Sequence, residues 1–310
     1  MDFVIPLKKI GLFTRAVLEV LELFYHPRRI LIITNKEEIS ILERELSYWN
    51  VGIVKLIEEE SFFIANFNLT IDDLEREFNS FEKLKDEKHR EFGWWYQQII
   101  KLGVSSQIKD ISEKYVVWDS DLIPLEKWEL VVFKNSTENP QYHVAILQDQ
   151  PKNEFNKEEY NKCLKDLLGF DSQTPYFGGT FVMHHMIFDV GHVKEMLNYI
   201  ITKNNISELW PIYIISLSKR FYRFSEYMLY SLYMIKFHKD AFFYYPYEMY
   251  GKTGIRFRES NDIIKKINNF YSLKEDNYFS YQEIADYFCF FNKSNLKPSY
   301  VQFEHVYHIL

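Results

Sequence analysis

Only two cysteines, Cys163 and Cys289, occur in the 310 residues, and they show no pairing pattern. That argues against a disulfide framework or a zinc cluster and makes a reducing compartment the default. Positive charge is also in short supply: 37 Lys and Arg against 44 Asp and Glu leave a net charge of −7. Nonspecific nucleic-acid binding needs a basic surface that displaces phosphate counterions, so no nucleic-acid partner is expected. A small anionic ligand held by a metal and a few Lys or Arg stays open. Long apolar runs are missing as well. The stretch from Leu209 to Phe237 is broken by Lys219, Arg220, Arg223 and Glu226, and no uncharged run approaches the roughly 18 residues that span a bilayer. The start, Met1 to Lys9, lacks a basic region followed by a long apolar one, so no signal peptide is expected. These absences predict a cytoplasmic protein without a transmembrane segment, for which peripheral membrane contact stays open.

What is abundant is apolar and aromatic. Hydrophobic residues make up 47% of the chain and Phe, Trp and Tyr 18%. That supplies a sizeable core and rings able to stack on nucleobases or sugar faces, although ordinary packing uses the same residues. Phe3 to Leu7 reads as a first strand, and Thr14 opens a helical pattern with Val17, Val20, Leu21 and Phe24 on one face. Arg29 to Thr34 is a continuous β-branched run, as expected of a buried parallel strand. Asn35 is placed to cap the next helix, with Glu38 three residues on, and Val51 to Ile57 gives a third strand. This alternation predicts an α/β fold with a mainly parallel sheet flanked by helices and right-handed crossovers.

Further along, a helix is expected over 91–102, strands at Tyr115 to Trp118 and Trp128 to Phe133, and a helix from Lys157 to Leu168. Gly178 to Met183 reads as a strand, Asp189 as a helix cap, and Leu209 to Phe237 as two helices split near Arg220 to Ser225. Ala241 to Tyr250 and Gly254 to Phe257 look strand-like, Ile263 to Phe270 and Gln282 to Phe290 helical, and Val301 to Leu310 a final strand or loop. No repeat or linker interrupts the chain, which reads as one continuous domain, 1–310, with a C-terminal helical and strand subregion.

Five constellations bear on chemistry. Asp119-Ser120-Asp121 directly follows the strand ending at Trp118. Carboxylates at the carboxyl end of an α/β strand stand where such folds bind ligands. Two of them one residue apart can share a hard divalent cation, Mn²⁺ or Mg²⁺; the alternative is a turn capped by aspartate. On a helix, Trp94, Gln97, Gln98 and Lys101 share one face, either a solvated stripe or a polar face turned to a ligand. Gly178 and Gly179 permit close backbone approach to a ligand, but their spacing is not the dinucleotide fingerprint. His184 and His185 follow; on a strand they point to opposite faces and cannot chelate one metal together. One could reach a ligand, and the alternative is a buried, hydrogen-bonded structural histidine. Ser225 is placed to cap a helix whose first turn holds Glu226, either a capping acid or a general base. Arg220 or Arg223 could position that acid or bind an anionic group. Finally, His305 or His308 in the tail could add a metal ligand, with no surrounding motif to support it.

The hydrophobic strand with Asp119-Ser120-Asp121 resembles the Asp-x-Asp motif of GT-A glycosyltransferases, whose fold is Rossmann-like. Trp94-Trp95-Tyr96-Gln97-Gln98-Ile99-Ile100-Lys101 resembles the Trp-Tyr-x-Gln-Gln-x-x-Lys stretch of a GT-A-like family associated with bacterial and viral surface polysaccharides. Ser225-Glu226-Tyr227-Met228-Leu229-Tyr230 is similar to its Ser-Glu-Tyr-x-x-Tyr segment. The resemblance covers roughly residues 3 to 235 and leaves the last seventy or so without a counterpart. It implies a metal-dependent hexosyltransferase that takes a nucleotide-sugar donor, with UDP the commonest nucleotide, and a glycan or lipid-linked acceptor. Residues 1–135 would bind the nucleotide-sugar and 136–310 face the acceptor. Asp119 and Asp121 would hold the metal, Asp121 more directly. Ser120 would lie near the donor ribose or sugar, and Gln97, Gln98 and Lys101 would face the donor pocket. The strand ending at Thr34 would border the base. Glu226 would deprotonate the acceptor hydroxyl, with Arg223, His184 or His185 on the sugar side. Two rivals share these residues: a metal-dependent nucleotide-sugar hydrolase or nucleotidyltransferase, and a noncatalytic sugar-binding protein.

Overall fold

The computed structural model of the chain describes all residues except 50, 81–91, 136–137, 150–156, 171–178, 208, 222–223, 247–253, 258–260, 273–277, 292–297 and 304–310. It opens as β1 (Asp2–Pro6), α1 (Thr14–Tyr25), β2 (Arg29–Thr34), α2 (Lys36–Leu46) and β3 (Val54–Glu58), followed by α3 (Ile64–Phe67), α4 (Ile71–Asn79) and α5 (Phe92–Gln107). Then come β4 (Lys114–Trp118), β5 (Leu122–Pro124), β6 (Val131–Asn135), β7 (Glu138–Asp149), α6 (Lys157–Leu168), β8 (Gly179–Thr180) and β9 (His185–Asp189). Helices α7 (Val190–Asn204), α8 (Trp210–Phe221) and α9 (Glu226–Phe237) lead to β10 (Phe242–Pro246) and β11 (Ile255–Phe257). The chain continues with α10 (Asn261–Tyr271), α11 (Tyr281–Phe291) and β12 (Tyr300–Phe303). The architecture is mixed α/β with a mainly parallel sheet flanked by helices.

Contacts divide the chain into two compact units, one formed by 1–58, 116–129 and 245–310, the other by 59–115 and 130–244. In the first unit the strands run in the order β3-β2-β1-β4, and β1/β2 and β2/β3 are parallel. Continuous apolar runs suit strands covered on both faces: every residue of β1 is buried, as is β2 from Ile30 to Thr34. Asn35 caps α2 as its position predicts, its side chain accepting from the Glu38 amide at 3.0 Å. Glu38 uses its own carboxylate elsewhere, accepting from the amide of Ile10 at 2.8 Å. It thereby ties the loop after β1 to the helix instead of closing the capping box.

The last part of the chain belongs to this unit through a second sheet, ordered β11-β12-β5. β12 is antiparallel to β5, with Tyr300 opposite Pro124, Val301 opposite Ile123 and Gln302 opposite Leu122. The Phe303 ring stacks on Phe13 with centroids 3.6 Å apart, and the Phe279 amide donates to the Leu12 carbonyl at 2.8 Å. The final segment is a strand at 300–303, and 304–310 lies outside the described residues.

The second unit is mainly helical, with a sheet of β10, β7 and β6 and β8 beside β7. Helix α9 is buried from Glu226 to Met234; a helix apolar on nearly all sides belongs inside a core. On α5, Gly103 fits against rings that leave no room for a methyl group: a Cβ there would stand 2.6 Å from Phe63 and 3.1 Å from Phe62. Phe63 is itself buried, so it has little freedom to retreat. Gly103→Ala should destabilise the fold by about 1–3 kcal/mol, the usual cost of overpacking, despite the better helix propensity of alanine. A denaturant midpoint at or above wild type would refute that packing argument.

Three strand expectations need correcting. The strand expected over 178–183 is confined, among described residues, to the pair Gly179–Thr180, and the main strand is β9, beginning at His185. His184 has φ of 65°, a left-handed conformation that interrupts an extended run. The two histidines therefore do not alternate on one strand. β7, 138–149, opens on Glu138-Asn139-Pro140-Gln141, a start that conceals the strand, and β5 is a three-residue strand that sequence periodicity does not reveal.

Candidate functional site

In the first unit, β4 ends at Trp118 and the chain reverses immediately. The Leu122 amide donates to the Asp119 carbonyl at 3.3 Å, and the Trp118 indole donates to the Leu122 carbonyl at 2.9 Å. The turn is closed by these backbone and indole hydrogen bonds, and it carries both acids. Carboxylate oxygens of Asp119 and Asp121 lie within 4.8 Å of each other, both side chains being half-buried. Such a separation lets two carboxylates share one cation. Carboxylate oxygens suit a hard divalent ion such as Mg²⁺ or Mn²⁺. Ser120 sits between them, also half-buried.

Asp121 is anchored by the C-terminal strand, a residue pairing that local sequence does not reveal. The Phe303 amide donates to the Asp121 carbonyl at 3.1 Å. The Gln302 amide nitrogen lies 3.5 and 3.4 Å from the two Asp121 carboxylate oxygens. Thr34, at the end of β2, is fully buried, and its hydroxyl has no hydrogen-bond partner among the described residues.

In the second unit, α5 presents the other predicted residues. Trp94 and Gln97 are half-buried, whereas Gln98 and Lys101 are buried. The face they share is therefore turned inward at its C-terminal end. Gln98 donates to the Trp94 carbonyl at 3.3 Å, and its own amide oxygen is buried with no hydrogen-bond partner among the described residues. Lys101 Nζ donates to Glu226 Oε1 at 2.7 Å and to the Tyr227 hydroxyl at 3.2 Å, and it also lies 4.5 Å from the Tyr227 ring centroid. Side-chain exposures of 4% for Lys101 and 2% for Glu226 make this a buried ion pair. Ser225 caps α9, accepting from the Met228 amide at 3.4 Å, which fixes Glu226 in the first turn. The Tyr115 hydroxyl donates to the Lys101 carbonyl at 3.0 Å; burial pushes that phenol well above its ordinary pKa, so it stays protonated and able to donate.

His185 is buried, with Nδ1 3.2 Å from the Met183 carbonyl, the setting of a structural histidine. His184 is half-buried. Gly179 forms part of β8, paired opposite Asp149. Gly178, Arg223, His305 and His308 lie outside the described residues. Among those described, no helix is long and apolar enough to cross a membrane.

A protein-family model described as a family of unknown function (DUF6492) matches residues 12–302. A search of curated proteins finds no match. Among solved structures, the apo form of mouse xyloside xylosyltransferase 1 is similar, with a TM-score of 0.48 and 9% identity over 97% of both chains. The apo structure of the bifunctional glycosyltransferase WbbM aligns with a TM-score of 0.41 and 12% identity, over 97% of this chain and 45% of the other.

Proposed function

The chain belongs to the DUF6492 family, and we propose that it is a metal-dependent glycosyltransferase moving a sugar from a nucleotide-sugar to a glycan or lipid-linked acceptor. The observation that carries this reading is the approach of Asp119 and Asp121 to within 4.8 Å at the end of a buried strand. The GT-A resemblance of the three sequence blocks supplies the reaction class. Asp119 and Asp121 would hold Mn²⁺ or Mg²⁺, which as a Lewis acid offsets the charge of a departing nucleoside diphosphate. UDP is the donor nucleotide assigned on this reading, and a hexose the transferred group. Ser120, Thr34, Trp94, Gln97 and Gln98 are proposed donor contacts, with the backbone of Gly178 and Gly179 open to close approach. His184 and Arg223 are assigned to the sugar side, whereas His185 is buried against the Met183 carbonyl. Glu226 is the proposed base. It takes the proton of the acceptor hydroxyl, the oxygen bonds to the anomeric carbon, and the bond from that carbon to the diphosphate oxygen breaks, its electron pair leaving with the phosphate. Cytoplasmic placement, with any membrane contact peripheral, is part of the same proposal.

Calorimetry with UDP and Mn²⁺ tests the first step. Metal-dependent heat is expected; its absence would leave a noncatalytic protein. Donor-only incubation tests the second. A transferase barely turns over without acceptor, whereas a nucleotide-sugar hydrolase does so freely.

One observation favours a second reading of Glu226. Both members of its pair with Lys101 are almost fully buried, which is also how a purely structural ion pair looks. The kinetics of the Glu226 variant, taken up in the Discussion, separate these roles.

A further inference from the structure

Gln302 is 1% exposed and stands on β12 opposite Leu122, one residue along from Asp121. As a hydrogen-bond donor it is poorly used. Its amide nitrogen lies 3.4 and 3.5 Å from the Asp121 carboxylate oxygens, whereas a charge-assisted N–H···O bond is ordinarily about 2.7–2.9 Å long. Its amide oxygen is buried with no hydrogen-bond partner among the described residues. A buried carbonyl left in that state is costly.

The two ends of a carboxamide are nearly the same size, and the terminal torsion that exchanges them is soft. Turning the amide puts an oxygen where the nitrogen now stands, nearly equidistant from both Asp121 oxygens. Against a bare carboxylate that orientation is repulsive. Around a six-coordinate divalent cation with oxygens at about 2.1–2.4 Å, adjacent ligands are about 3.0–3.4 Å apart. The observed spacing is close to such a ligand edge and too long for a good hydrogen bond.

We propose that Gln302 supplies a neutral amide oxygen to the cation shared by Asp119 and Asp121. The inference rests on the reading of that aspartate pair as a cation site. It gives the C-terminal segment, for which the sequence resemblance offers no counterpart, a direct part in metal binding. A neutral third ligand completes the oxygen set without adding a third negative charge to a half-buried cluster.

Binding of Mn²⁺ alone, measured by calorimetry, and the water-proton relaxivity of the bound Mn²⁺ test this on the full chain. Gln302→Met keeps the volume and removes the oxygen. It should weaken Mn²⁺ binding by about tenfold or more, and the bound ion should gain a water, raising its relaxivity. Gln302→Glu keeps an oxygen and should hold affinity at or above the wild-type value with relaxivity no higher than wild type. Unchanged relaxivity in Gln302→Met overturns the proposal, because a residue that merely steadied Asp121 would leave no vacant coordination position. If Gln302→Met does not fold, Gln302→Glu decides: a bound ion with more water and lower affinity than wild type overturns it. A wild-type chain that takes no Mn²⁺ at all overturns the aspartate reading first, and is thereby distinguished from a failure of Gln302 alone.

Discussion

Asp121→Ala is expected to abolish metal-dependent UDP binding while the fold survives. The side chain is half-buried in a turn. The turn itself is closed by backbone and indole groups, Leu122 to Asp119 and Trp118 to Leu122, neither of which needs the Asp121 carboxylate. β12 holds residue 121 through the Phe303 amide and the Asp121 carbonyl, a bond that alanine retains. Removing the carboxylate therefore takes away a cation ligand and the contact with Gln302 while leaving these backbone bonds in place. Losing an outer-shell partner of a metal already costs roughly ten- to a hundredfold in affinity, and losing a direct charged ligand should cost at least the upper end of that range. Titration of UDP with Mn²⁺, beside a melting curve without metal, checks both halves. Unchanged affinity in a folded variant would remove the metal role and, with it, the enzymatic account.

Glu226→Gln carries the second large effect, and its interpretation depends on Lys101. A general base contributes about two to four orders of magnitude to turnover, so kcat should fall by that much with nucleotide affinity unchanged. Because Glu226 is buried against Lys101, the variant also leaves a buried ammonium facing a neutral amide, and its melting temperature should drop. Stability and catalysis can be separated through Lys101. Lys101→Met strands the carboxylate and should cost about 3–5 kcal/mol, whereas Lys101→Met with Glu226→Met removes both charges and should recover much of that loss. If Glu226 is the base, the double variant is stable and inactive. If the pair is structural only, turnover per folded molecule in Glu226→Gln stays near wild type. That outcome would direct the search for a base elsewhere or point to a retaining mechanism.

Legibility in the sequence follows how local the determining interactions are. β1, β2 and β4 are apolar runs buried along nearly their whole length, and α6 spans the predicted Lys157–Leu168. Caps at Asn35, Asp189 and Ser225 are readable because each is a side chain bonding to an amide three residues on. The strand near 178–183 is misplaced because a glycine pair marks a break without saying on which side the strand continues. The turn at His184, with its positive φ, puts it on the far side. β7 is obscured by Asn139, Pro140 and Gln141, residues that ordinarily argue against a strand. The acids at 119 and 121 are visible because they follow a strand directly. Gln302 is not, since it meets Asp121 across 181 positions of sequence and only the register of β12 on β5 brings them together. A faint local sign exists in the polar residue between Val301 and Phe303, at the period of an extended chain. The Lys101–Glu226 pair was half-visible: both residues were singled out, but 125 positions separate them, so their partnership had no local signature.

The first unit is assembled from three separate stretches of chain, between which the sequence of the second is interleaved. A protein made from its N-terminus onward generally folds in that order, yet β5 has no β12 to pair with until residues 300–303 have emerged. Closing so wide a loop is entropically slow. The aspartate turn should therefore acquire its final geometry late in biosynthesis, and a polypeptide stopped short of residue 300 would carry both acids without the strand that holds one of them in place. Affinity for the ion would then report that synthesis has passed β12.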